Sequence, residues 1–349
     1  MRENAPLPSA GRLLELIDAM AGQTVVMLVD LVADRFITGV PKRISREAPV
    51  LILSYDGETF MPGGGANAVA NIAALGGRPL LLGAVGRDAN GRRLLEAFRS
   101  WGVSTAGILQ REDYRTPTKT RILSGGRHSI KQQIVRYDIG ESRQLSADEQ
   151  QHFEKQLAEW GGLAGTAVLS DYGYGTVKPD LLPRIRQALA EEGTILCDSR
   201  NRLQEFQGLD GATPNEEEAR ELLGKPISDE PRELLEAGAE LRRRLAARFL
   251  LITRGSFGMN LFDASGGYRI PVHGTDQVAD VTGAGDTVIG TFALALAADA
   301  SPLEAALLAN YAGGVVVMKA GTATLCREEL AAAVASDPGP LRESVWESY

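Results

Sequence analysis

From residue 164 to residue 321 the chain alternates between two textures. Short apolar runs such as "TAVLSDYGYG", "TILCDSR" and "FLLITRGSFGMNLFDA" read as strands. Between and after them lie segments of helical spacing: "LLPRIRQALAEEG", "EEEARELLG", "GAGDTVIGTFALALAAD" and "LEAALLANYAGGVVVMKAG". A strand that is apolar at nearly every position is buried on both faces, which requires helices above and below a mainly parallel sheet. The same alternation begins earlier, with "TVVMLVDLVADRF", the glycine turn and small-residue helix "GGGANAVANIAALGG", the strand "RPLLLGAVG" and the helix "GRRLLEAFRSWGV". The chain is therefore expected to be an α/β protein built on one open, mostly parallel sheet.

Two stretches break that rhythm. "ITGVPKRISREAPVLILSYDGETF" and the pair "TPTKTRILSGG"/"RHSIKQQIVRYD" alternate polar and apolar residues, which suits strands with one wet face. They are expected to form a small lid sheet, over about 35–61 and 115–138, inserted in a single domain spanning 1–349. The N-terminal segment reads as an amphipathic helix with Leu13, Leu14, Ile17 and Met20 on one face. A net charge of -8 argues against non-specific binding to nucleic acid or to an anionic membrane, both of which need clustered positive charge. No apolar run approaches the length of a membrane helix, and two cysteines, Cys197 and Cys326, read as reduced thiols. A cytoplasmic location is the expectation.

"DVTGAGDT", at 280 to 287, opens an apolar helix. Free N–H groups and the positive end of the helix dipole favour an anion there. Gly283, Ala284 and Gly285 let a ligand approach the backbone, and Asp286 stands in the first turn. An acid beside bound phosphate is repulsive unless it accepts a proton from an attacking hydroxyl, the general-base role in phosphoryl transfer. The other reading is an acidic cap on a core helix. "TPNEEEA" places Asn215 and Glu218 three apart, on one face of a helix start; they suit either a capping pattern or water-mediated Mg²⁺. "GGGANA" with Asn67 suits sugar hydroxyls or a packing turn. It also matches a G-x-G-x-x-A dinucleotide pattern with Asp88 downstream, but the preceding "SYDGETFMP" is not a buried strand, and a nicotinamide oxidoreductase is discounted.

Asp30 and Asp34 end the first strand, where open α/β sheets bind ligands, and together they suggest hydroxyl recognition. Lys42, Arg43, Lys119, Arg121 and Arg136 all fall on the lid strands. They serve either as charged strand edges or as a grip on a phosphorylated substrate. His128, His152 and His273 have no ligand spacing.

With "GGGANAVANIAALGG", "TPNEEE" and "DVTGAGDT" in this order, the chain resembles the ribokinase-like (PfkB) carbohydrate kinases over about residues 24 to 335. Within them it is most similar to the D-glycero-β-D-manno-heptose 7-phosphate kinases of lipopolysaccharide synthesis. "RISREAPV", "LSDYGYG" and "AGGVVVMKAGT" carry the closer likeness. The resemblance implies a three-layer α/β/α sandwich with a β lid, and a soluble ATP-dependent kinase for a sugar or sugar phosphate. It implies Asp286 as base, with the amides of Gly283, Ala284 and Gly285 on the transferred phosphoryl group. Asp34, Gly64, Gly65, Asn67 and Asp171 would serve the sugar, with Arg43, Lys119, Arg121 and Arg136 for its phosphate. Thr253, Gly255, Gly258, Asn310 and Gly314 would flank the nucleotide, with Asn215 and Glu218 supporting Mg²⁺. Asp280, Thr282 and Gly321 correspond to a K⁺ site, and lid strands pairing between subunits imply a homodimer. The chain departs from the heptose kinases at "VD" (29–30) and "AD" (33–34), where they carry "GD" and "LD", and at "DSR" (198–200), where they carry a "DPK"-like element. A kinase for ribose or a fructose phosphate, and a non-catalytic sugar or nucleotide sensor, are the competing readings.

Overall fold

The computed structural model describes residues 7–126, 131–274 and 278–349. Among the described residues fourteen strands run in chain order. They are β1 (Thr24–Val29), β2 (Leu31–Ile44), β3 (Leu51–Gly64), β4 (Arg78–Gly86), β5 (Ile108–Arg111), β6 (Thr118–Ser124) and β7 (Gln132–Ile139), then β8 (Ala164–Asp171), β9 (Leu189–Ser199), β10 (Gly211–Ala212), β11 (Phe249–Thr253), β12 (Met259–Phe262), β13 (Gly266–Ile270) and β14 (Val345–Ser348). Ten of them form the central sheet in the order β14-β13-β12-β11-β10-β9-β8-β1-β4-β5. From β5 to β11 every pairing is parallel; β12, β13 and β14 add antiparallel strands at one edge.

β1 shows why the sheet is covered on both sides. Val25, Met27 and Val29 enter one core cluster, while Val26 and Leu28 enter the other, as the two-residue side-chain period requires. The first cluster is filled by the helices Ala10–Ala19, Gly65–Ala74, Ala284–Ala297 and Pro302–Val316; the second by Ala147–Glu159, Leu182–Ala188 and Pro231–Arg244. On the N-terminal helix Leu16 is buried with Leu13, Ile17 and Met20, while Leu14 is only half-buried.

The stretch read as one first strand is two. The chain leaves the central sheet at Asp30, and β2 belongs to a separate four-stranded sheet of order β3-β2-β6-β7. This is the lid. Its first two strands are 14 residues each, longer than the sequence pattern suggested, and extend to Gly64. The segment "LLPRIRQALAEEG" also divides: its helix stops at Ala188, and Leu189 is already extended and pairs with Ala164. Pairing resumes at Thr194, so residues 190–193 bulge out around Glu192, whose φ is 63°.

The candidate active site

The candidate residues gather at the carboxyl end of the parallel strands, where successive strands deliver Asp30, Asp171, Ser199 and Thr253 to one edge. Gly283 caps the helix Ala284–Ala297 with φ 81°, a left-handed conformation that a side chain disfavours. A Cβ there would also stand 2.5 Å from the Asn67 amide nitrogen, which instead donates to the Gly283 carbonyl at 3.1 Å. Two distant glycine motifs are thus joined by one hydrogen bond. The Ala284 amide is turned back to the Val281 carbonyl at 3.2 Å.

Asp286 is buried one turn into this helix. Burial pushes its carboxyl up to about 7; hydrogen bonds from Tyr172 and Asn67 and the Lys119 charge pull the other way, while the Asp34 charge adds to the rise. The Tyr172 hydroxyl donates to Asp286 Oδ1 at 2.8 Å. Lys119 stands over the Tyr172 ring, 4.7 Å from its centre, and burial lowers the pKa of its ammonium. β2 sets Asp34 beside Lys119, and Arg121, two residues along β6, donates to Asp34 Oδ1 at 2.5 Å. Asp34, Asn67, Lys119, Arg121 and Asp286 therefore form one charged pocket between lid and sheet.

Against the helix N-terminus lies a cleft of about 450 Å³. Thr253, Gly255, Gly258, Asn310 and Gly314 all line it, and its inner end is formed by Ala284 and Gly285. Its other walls are mostly apolar, including Met259, Val288 and Val317, as suits a flat heteroaromatic ring. Asn310 is fixed by donating to the Pro271 carbonyl at 2.8 Å. The cleft thus ends where the charged pocket begins.

Other residues are placed elsewhere. Asn215 and Glu218 make a reciprocal capping box, each accepting the other's backbone N–H at 2.9 Å. Glu218 still has its second carboxylate oxygen to offer, and burial raises its carboxyl above the ordinary range. Asp280 accepts from the Thr282 amide at 2.9 Å and from the Gly321 amide at 3.1 Å, so those three positions meet. Asp171 is held inside by Ser199 (2.7 Å) and Arg202 (2.7 Å), a structural ion pair set back from the pocket. Arg43 lies nine residues along β2 from Asp34, about 30 Å at strand rise, and is exposed at the distal lid. Arg136 pairs with Asp138 on its own strand at 2.5 Å.

Asp30 does not face a ligand. Its carboxylate accepts the backbone N–H groups of Tyr172, Tyr174 and Thr176 at 2.9, 2.9 and 3.1 Å, and pins the loop after β8. Burial, ahead of the opposing backbone hydrogen bonds, pushes its pKa up to about 6. Asp88 is also internal: it caps the helix Ala89–Ser100 and accepts from Thr116. The glycines of "GGGANA" follow lid strand β3, not a strand of the central sheet, which removes the dinucleotide reading. His152 and His273 are far apart in the chain and His128 lies outside the described residues; among the described residues no group of three or more His, Cys, Asp or Glu side chains is arranged to hold a metal.

Sequence reasoning missed Tyr172 and Asp198. Asp198, at the end of β9, has no side-chain hydrogen bond among the described residues. Burial, then the charges of Glu218, Asp286 and Asp171, hold its carboxyl well above the ordinary range.

A buried acid at a helix N-terminus, cations facing it from a lid, and an apolar cleft ending at the same helix define a phosphotransferase class of α/β protein. The model of the pfkB family carbohydrate kinases matches residues 23–330, and the chain belongs to that family: it is a kinase that transfers phosphate to a sugar hydroxyl. It is 37% identical over 346 residues to the bifunctional protein HldE of Mesorhizobium japonicum, covering 97% of this chain and 67% of that one. The chain spans about two thirds of the length of this and other curated relatives of that name. Among solved structures it shares its fold with Escherichia coli phosphofructokinase-2 in complex with substrates and products (TM-score 0.72, 20% identity, 90% of this chain and 98% of that one). The same holds for Arabidopsis thaliana ribokinase complexed with ribose and ATP (TM-score 0.70, 21% identity, 91% and 100%).

Proposed function

We propose that this chain transfers the γ-phosphate of ATP to a hydroxyl of a sugar phosphate, and that the sugar is a heptose 7-phosphate. The observation that carries the reading is the buried Asp286 carboxyl, with its pKa near 7, at the junction of the nucleotide-sized cleft and a pocket lined by Lys119 and Arg121. The likeness to the HldE proteins and the heptose-kinase motifs support the heptose.

In this mechanism the ionised Asp286 takes the proton of the acceptor hydroxyl as that oxygen bonds the γ-phosphorus. The bond to the bridging oxygen breaks and ADP leaves. The protein's contribution is positioning and charge. The amides of Gly283 and Gly285 face the transferred group, the Ala284 amide being spent on the Val281 carbonyl; Asp34 and Asn67 hold sugar hydroxyls with the backbone of Gly64 and Gly65, and the lid excludes water that would compete as acceptor. The unpartnered acid Asp198 beside Glu218, with Asn215, suits a cation held through water, and Mg²⁺ held there would neutralise phosphate charge. Asp280, with Thr282 and Gly321, would serve K⁺.

Lys119→Met, which keeps the apolar stem, is expected to raise KM for the sugar phosphate at least about tenfold, the value of one charge-assisted hydrogen bond. KM for the unphosphorylated sugar should stay near its wild-type value. Steady-state kinetics on the two sugars check this; equal losses on both would remove the phosphate from the role of Lys119.

The lid exposes Ile44, Tyr55, Ile134 and Val135, more apolar surface than a small sheet leaves wet without a partner. A homodimer through the lid strands accounts for it. Light scattering should give twice the chain mass of 37.3 kDa, and Ile134→Glu with Tyr55→Glu should shift the protein to monomer; a monomeric wild type contradicts the assignment.

A further inference from the structure

We propose that Tyr172 is a positioning residue for the phosphoryl transfer, its phenol fixing the Asp286 carboxylate toward the acceptor hydroxyl and its ring tying that carboxylate to the lid. The inference rests on the reading of Asp286 as the base.

Three elements of the pocket converge on this one side chain, and a fourth holds its backbone. Its hydroxyl donates to Asp286 Oδ1 at 2.8 Å. Its ring lies 4.7 Å beneath the Lys119 ammonium of lid strand β6, within the range of a cation–π contact. Its Cε2 would stand 3.2 Å from a Cβ at Gly64, whose φ of 53° is itself left-handed, so the glycine turn leaves room for the ring. Its backbone N–H is held by the buried Asp30 carboxylate at 2.9 Å, as are those of Tyr174 and Thr176. A ring clamped in this way has little freedom to turn away from the acid.

Tyr172 cannot itself exchange protons in the working range. Burial, then the charges of Asp286, Asp198 and Asp34, hold its phenol well above its ordinary pKa. It is a permanent donor, and a donor to a carboxylate favours the ionised form. The charged groups that face Asp286 are Lys119 on β6, Asp34 on β2 with its partner Arg121, and Asp198 on β9; Asn67 is the neutral neighbour. Tyr172 shares the hydrogen bonding of this carboxylate with Asn67, and its own bond engages Oδ1. A lid that opens carries Lys119 away from the ring, so lid position and the orientation of the base are linked through the same side chain.

The test is the pH profile of kcat/KM with one fixed pair of substrates for the wild type, Tyr172→Phe and a protein carrying 3-fluorotyrosine at 172, with Asp286→Asn as control. Substrate ionisation is common to all and cancels in the comparison. Removing the hydroxyl should raise the acid limb by about one pH unit and lower kcat at pH 8 about tenfold, as expected on losing one donor to a charged acceptor. The KM for ATP should be unmoved. The more acidic fluorophenol, a stronger donor, should shift the limb the other way, and it tests the idea even if the Phe variant folds poorly. An identical limb in all three, with turnover abolished in Asp286→Asn, overturns the role of Tyr172 alone. Turnover that survives in Asp286→Asn overturns the reading of the base on which it rests.

Discussion

Asp286→Asn is expected to fold and bind nucleotide while its turnover falls by roughly 10²- to 10⁴-fold, the usual cost of removing a general base. The amide keeps the shape and accepts the Tyr172 hydrogen bond, yet it cannot take a proton. The same substitution should stabilise the protein. The folded-state pKa of Asp286 is raised from 3.8 to about 7, so its protonated form is the one the fold prefers. Its contribution is therefore fully present below pH 3.8 and is lost as pH rises through 7, a difference worth up to about 4 kcal/mol. In thermal unfolding the Asn variant should melt several degrees above the wild type at pH 8, with the gap closing toward pH 5. An inactive variant with a lower melting point at pH 8 would mean damage to the fold in place of loss of a base.

Asp30→Ala should cost stability more than any other single change near the site. It strands three backbone N–H groups, those of half-buried Tyr172 and Tyr174 and of buried Thr176, and a buried unsatisfied donor costs about 1–3 kcal/mol. A loss of about 3 kcal/mol or more is expected in denaturant unfolding, with kcat falling as well, because the loop carries Tyr172. Asp30→Asn retains one acceptor oxygen and should fall in between. If Asp30→Ala melts with the wild type and loses only sugar affinity, the carboxylate reaches substrate and the loop is held some other way.

The alternation of buried strands and helices was legible because β1, β8 and β11 are apolar on both faces, a pattern that only a covered parallel sheet explains. The lid was legible for the opposite reason: β2, β3 and β7 keep many exposed polar positions. "GAGD" announced the acid at a helix mouth. The roles of Asp30 and Asp34 could not be separated in the sequence, since a strand end suits equally an acid that pins a loop and one that faces a ligand. Only the register, which turns Asp34 toward Lys119 and Arg121, divides them. Tyr172 left no periodic signal because it sits in a loop, and Asp171 drew attention that belonged to its neighbour. Asn215 and Glu218 fulfil the capping pattern their spacing suggested, with half-buried Glu218 close enough to Asp198 for their charges to interact.

The most direct test of the account is ADP release from ATP and Mg²⁺ by the wild type and by Asp286→Asn. The acceptors would be a heptose 7-phosphate, sedoheptulose 7-phosphate, fructose phosphates and ribose. The heptose 7-phosphate should give the highest kcat/KM, with the signal lost in the variant. Equal or better turnover of ribose or a fructose phosphate would contradict the assigned substrate, and undiminished turnover in the variant would contradict the assigned base.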